Sequence, residues 1–132
     1  MLAPCEVAVR CALPAIRAMI AKELMTKHEL KQADVALLLG VSQPAISLYH
    51  RKIRGRAINL DNDSEVKSLI EELAQRISQG NLSQVEFISD FCHICTKIRT
   101  KGLLCEMHKT LDPSIGIQKC ELCTTTKLPR CI

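Results

Sequence analysis

Residues 32–51, QADVALLLGVSQPAISLYHR, constrain this chain more than any other stretch. A single glycine divides two short runs of helix-forming residues, and both sides of it carry boundary signals. Gly40 accepts the left-handed conformation that ends a helix. Ser42 is a good N-cap for a helix starting at Gln43, and Pro44 falls in its first turn, where proline is tolerated. The spacing predicts one helix over 32–39 and a second from 43 to about 53. Ala36 has to be small because the second helix crosses close to the first. Val41 and Ile46 fill the space between them. Leu38, with Leu39 or Val35, is expected to pack toward a preceding helix.

The flanks supply further helices. Residues 1–13 are read as a leading segment with no assigned structure. Pro14 suits a first turn, and Ile16, Met19, Ile20 and Leu24 repeat at helical spacing, which predicts a helix over about 14–27. Downstream, acids near Asp63 and Ser64 open a helix whose apolar face is Val66, Leu69, Ile70, Leu73 and Ile77, and Gly80-Asn81 ends it. Another starts near Ser83, points Val85, Ile88 and Phe91 inward, and runs toward Cys95. Beyond Gly102 short elements are expected between cysteines. Aromatics are only 2% while Ala, Leu, Ile, Lys and Glu dominate, so the fold class is mainly α.

Charge separates the halves. Residues 1–60 carry nine Lys/Arg against four Asp/Glu, whereas residues 61–132 carry nine against ten. The basic surface therefore belongs to the first half, which suits a polyanionic partner; a solvated basic face is the plain alternative. The scarcity of aromatics disfavours single-strand binding, which stacks bases on aromatic rings. No stretch reads as transmembrane, and Glu6, Arg10 and Arg17 interrupt what an export signal would need as its apolar core, so a cytoplasmic location is expected. There is no Ser/His/Asp set, phosphate-binding glycine loop or paired-carboxylate motif. An enzyme is the least expected class, and no small-molecule substrate is identified.

Residues 32–51 resemble the helix-turn-helix of the phage-repressor family (Cro/C1, or XRE), whose second motif helix enters the major groove of DNA. The resemblance implies a lambda repressor-like DNA-binding domain, with Gln43, Pro44, Ser47, Leu48 and Arg51 at base or groove contacts and Gln32 near the backbone or a base edge. Glutamine can pair bidentately with adenine, which gives Gln43 a means to specify sequence. Ser42, Tyr49, His50, Arg51, Lys52, Arg54 and Arg56 are the candidates for phosphate contacts. Pro44 departs from many family members and removes an amide near the phosphates. The segment PCEVAVRCALPAIRAMIAKEL before the motif and RGR after it are similar to an archaeal group of such regulators with a cysteine-rich tail. A helical hairpin with no DNA role is the plain structural alternative.

The tail contains Cys92-x2-Cys95, Cys105-x2-His108 and Cys120-x2-Cys123 among the eight cysteines of the chain. Without an export signal, such clusters more often bind metal than form disulfides. A Cys-x2-Cys turn brings two thiolates to one metal, and two such units complete a tetrahedron. Cys92, Cys95, Cys120 and Cys123 are the natural set; Cys105 and His108 are further candidates. Zinc is preferred as the commoner structural staple, and surplus thiols keep an iron–sulfur cluster open. Buried, inert cysteines are the plain alternative, and Cys5 and Cys11 are read that way. His28 and His93 are read as ordinary surface or helix-end residues.

These readings divide the chain into a DNA-binding domain over 1–60, connecting or dimerisation helices over 61–91 and a metal-binding region over 92–132. The leading expectation is a sequence-specific regulator binding double-stranded DNA as a homodimer. An iron–sulfur redox or iron sensor acting through the same domain, and a zinc-stabilised adaptor for protein or RNA, are the rivals.

Overall fold

The computed structural model describes residues 1–114 and Cys123. Its elements are α1 (Pro4–Val7), a π-helical segment (Ala8–Ala12), α2 (Leu13–Thr26), α3 (Gln32–Leu39), α4 (Gln43–His50), a 3-10 turn (Leu60–Asn62), α5 (Ser64–Ser78), α6 (Gln84–Thr100) and α7 (Cys105–Leu111). The described residues are mainly helical and contain no strand.

The leading segment is helical, which corrects the expected start at Pro14. The reason lies in Pro14 itself. A proline inside a helix has no N–H to give, and its ring crowds the carbonyl four residues back. Here the chain widens to a π turn just before it, with the Leu13 N–H donating to the Ala8 carbonyl. The widened turn lets helical structure run from Pro4 to Thr26. Val7, Cys11, Ala12, Ala15 and Ile16 keep one side of it buried. Cys11 is thus an apolar core residue, and burial pushes its thiol pKa up. Cys5, in contrast, is exposed.

The helix α2 is the hub, in contact with α3 and α4 and with α5 and α6. One core extends from Val7 to Leu104, and Val66, Ile70, Leu73 and Ile77 of α5 close it against α2. The α5 stripe is therefore spent inside this chain and is not an open face. In α6 only part of the expected inward face is inward. Phe91, Ile94 and Ile98 are buried, while Val85 is 77% and Ile88 51% exposed. At 100° per residue Phe87, Phe91, Ile94 and Ile98 share the inward face, which puts Val85 on the far side of α6 and Ile88 at its edge. Arg17 lies over the Phe91 ring at 5.3 Å, tying α2 to α6.

Charged caps hold the α5–α6 pair. Asp63 caps α5, accepting the Val66 N–H at 3.0 Å, and also receives Lys101 Nζ from just beyond α6 at 3.0 Å. Glu65 receives Lys101 and Lys97 at 2.6 and 3.2 Å. A capping box of Ser83 and Glu86 starts α6. The helix α7 folds back on the start of the chain. His108 Nε2 lies 2.8 Å from the Leu2 carbonyl, and Asp112 accepts the Leu2 N–H at 2.9 Å.

Candidate nucleic-acid interface

The turn between α3 and α4 follows from three residues. Gly40 has φ 66° and ψ 33°, the left-handed region. This lets the Val41 N–H reach back to the Ala36 carbonyl at 3.0 Å, satisfying a carbonyl the helix end would orphan. Ser42 then accepts the Ala45 N–H at 3.2 Å and starts α4. Val35, Ala36 and Leu39 of α3 are buried with Ala45, Ile46 and Tyr49 of α4. Leu38 is instead 44% exposed, and the expectation that it packs inward is corrected. It lies on the side of α3 turned away from α2, and Val35 and Leu39 make the inward contact.

The buried face of α4 determines what the other face offers. Successive positions are 100° apart, so Gln43, Pro44, Ser47 and Arg51 fall opposite Tyr49. Gln43, Pro44 and Arg51 are exposed, with Ser42 and His50 beside them, while Gln32, Ser47 and Leu48 are half-buried. The side chains expected at a groove are thus brought to one surface. Tyr49 is the exception among the expected phosphate contacts, being only 5% exposed. It faces the core, and Arg54 stacks over its ring at 5.7 Å.

The expected extension of the second helix to about 53 is also corrected: α4 ends at His50. Lys52 takes φ 57°, and the Leu48 carbonyl receives the N–H groups of both Ile53 (3.0 Å) and Arg54 (3.3 Å). A left-handed residue just past the last turn stops the helix as a glycine would. The basic run is therefore a loop, with Arg51, Lys52, Arg54 and Arg56 all exposed. Between Asp34 and Asp61 there is no acidic residue, so α4 and this loop carry no carboxylate of their own.

Gly55 was not singled out in the sequence, yet it positions this loop. It has φ 76°, and a β-carbon there would meet the Pro14 carbonyl oxygen at 2.6 Å and the Ala18 Cβ at 2.7 Å. The available signal was a glycine set among four cations, where a turn against a neighbour is expected.

The cysteines are placed differently from the expected knuckle. Cys92 and Cys95 lie within α6, which continues to Thr100, so they are one helical turn apart and not in a turn. Such a pair has Cβ atoms roughly 5–6 Å apart, close enough for one thiophilic metal to bridge. Cys92 is exposed and Cys95 half-buried; Cys105 begins α7; Cys123 is buried. Cys120 and Cys131 lie outside the described residues. His108 is buried with Nε2 engaged by Leu2, which leaves Nδ1 as the nitrogen for any metal. Among the described residues no three His, Cys, Asp or Glu side chains come together as a metal set. The donors fit a thiophilic metal in chemistry, and α6 supplies one bidentate pair.

No family profile, characterised relative or solved structure matches the chain. No described helix is long and apolar enough to cross a membrane.

Proposed function

We propose that this chain binds double-stranded DNA in a sequence-dependent way and regulates transcription, as the resemblance to Cro/C1-type repressors implies. One observation carries the reading: α4 buries Ala45, Ile46 and Tyr49 against the core and turns Gln43, Pro44, Ser47 and Arg51 outward beside an acid-free basic loop. A helix about 10–12 Å across fits a major groove about 12 Å wide. Gln43, on its first turn, is the base reader. Arg51, Lys52, Arg54 and Arg56 neutralise phosphates, with Ser42, His50 and Gln32 beside them.

Two further parts belong to the proposal. Val85 and Ile88, exposed one turn apart on α6, are the surface through which two chains pair; pairing presents two recognition helices to adjacent grooves. Cys92, Cys95, Cys105, Cys120 and Cys123 hold zinc or an iron–sulfur cluster. The metal supplies a cross-link for a tail too small to fold alone.

The test is selection of duplexes from a random pool with the full chain, followed by fluorescence anisotropy on the selected site. A specific site bound at least about a thousandfold more tightly than random duplex supports the reading. Equal affinity for every duplex, or none for any, overturns it.

A further inference from the structure

A cavity of about 460 Å³ lies between α2 and the loop that follows α4. Its size falls within the about 300–1,000 Å³ of small-molecule sites. The two parts of its wall differ in chemistry. Ala15, Ala18, Met19 and Met25 of α2, with Ile58 and the Tyr49 ring, form an apolar floor. Lys22, His50, Lys52, Arg54 and Arg56 line it as well, against a single acid, Asp61. Methionine side chains adapt to flexible apolar ligands. Guanidinium groups pair with carboxylates in a bidentate fork.

From this juxtaposition we infer that the cavity is a binding site for a small amphipathic anion, an alkyl body with a carboxylate head, and that its occupancy weakens DNA binding. The alkyl body lies on Met19, Met25 and Ile58. The carboxylate is held by cations of the loop. The regulatory half rests on the DNA-binding reading above. Lys52, Arg54 and Arg56 line the cavity and also belong to the proposed phosphate-contacting loop. A carboxylate in the cavity draws them away from the duplex, and by linkage DNA lowers affinity for the anion by the same factor.

The experiment titrates the full chain with decanoate below its critical micelle concentration, with decanol as the uncharged control, by calorimetry. Tyr49 is the only tyrosine and the chain has no Trp, so tyrosine emission reports from the cavity wall. Saturable one-to-one binding is expected, tighter for decanoate than for decanol by about tenfold or more, the equivalent of about 1.4 kcal/mol. Lys22→Gln, on the exposed side of α2 and outside the DNA surface, should weaken decanoate about tenfold and leave DNA affinity unchanged. Met25→Trp, which fills the floor, should abolish decanoate binding. Decanoate at a concentration that saturates the unaltered chain should lower its DNA affinity by between about 5- and 150-fold, by less in Lys22→Gln and not at all in Met25→Trp. Absence of saturable binding, equal affinity for acid and alcohol, or indifference to both substitutions overturns the site. Decanoate binding with unchanged DNA affinity overturns the regulation. A chain that binds decanoate but no duplex leaves the site standing and defeats the DNA reading.

Discussion

Gly55 is seated against Pro14 so closely that a β-carbon on it would lie 2.6 Å from the Pro14 carbonyl oxygen. The loop carrying Arg51, Lys52, Arg54 and Arg56 is thereby pinned to the hub helix at one point. Gly55→Ala combines left-handed strain of about 1–2 kcal/mol with overpacking of about 1–3 kcal/mol. Gly40 provides the control. Its φ is 66°, but nothing lies within 4 Å of a β-carbon there, so Gly40→Ala carries the strain alone. Urea unfolding should therefore find Gly55→Ala the more destabilised. Only Gly55→Ala should also loosen the loop, read as faster amide exchange over residues 51–56. Equal costs at the two glycines would count against the pin.

On the proposed DNA surface, Gln43 and Arg51 should fail in different ways. Gln43→Ala removes a base reader and should cost about 1–3 kcal/mol at the preferred site, with little change on random duplex. Arg51→Ala removes a phosphate contact. It should weaken all duplexes alike and reduce the slope of log affinity against log salt by about one. Anisotropy at several salt concentrations separates the two. If both substitutions shift specific and random binding equally, Gln43 does not read a base.

Acid should unfold the chain through its caps. The Asp63 carboxyl is held below its ordinary pKa by the Val66 amide first and Lys101 second; Glu65 is held down by Lys101 and Lys97. Asp112 is lowered by the Ser114 hydroxyl and then by the Leu2 amide. A carboxylate depressed in the folded state contributes stability that is complete above its unfolded pKa, about 4, and is lost as pH falls through the lower folded value. Lys101 is raised by Glu65 and Asp63, so its share is complete below about 10.4 and is lost as pH rises through the folded value. Urea midpoints should be flat through neutrality and fall below about pH 4. Asp63→Asn keeps a cap but not the charge, and should make the acid limb shallower. An unchanged limb would show that Asp63 takes no part in it.

The pair α3 and α4 and the tight turn at Gly40 were legible because each of their demands is local. Gly40, Ser42 and the apolar positions of α3 and α4 act within a few residues of one another. What was not legible depends on distant neighbours. Leu38 has the same composition signal as Leu39, and only the position of α2 decides which of them is buried. Val85 and Ile88 repeat at helical spacing, but Phe87, Phe91, Ile94 and Ile98 take the inward face of α6 and leave those two off it. The helix over residues 4–12 was hidden by Pro14, whose ordinary meaning is a helix start and whose meaning here is a π turn. Lys52 adopts a left-handed backbone without being glycine, so nothing in the residue type announced the end of α4. His108 read as a metal candidate by its spacing from Cys105. Its contact with Leu2 spans nearly the whole described chain and has no local signature.

The thiols of α6 offer the sharpest test of the tail. Cys92 and Cys95 sit one turn apart on a regular helix, and such a pair supplies at most two of the four ligands that zinc or an iron–sulfur cluster requires. The rest must come from outside α6, with Cys105, Cys120 and Cys123 as the thiol candidates. Anaerobically purified protein should therefore carry about one zinc per chain, or a cluster with broad visible absorption. Cys92→Ser and Cys95→Ser should each remove most of the metal, whereas Cys5→Ser and Cys11→Ser should not. Cys11 is buried among Val7, Ala12 and Ala15, so its substitution should affect stability and not metal content. Iron with sulfide, together with weaker DNA binding after oxidation, would make the centre a sensor. Colourless zinc protein that loses helix content with chelator would make it a staple. Metal-free protein with unaltered helix content and stability in the Cys92→Ser and Cys95→Ser variants would show that these two cysteines bind nothing and that α6 and α7 are held without metal.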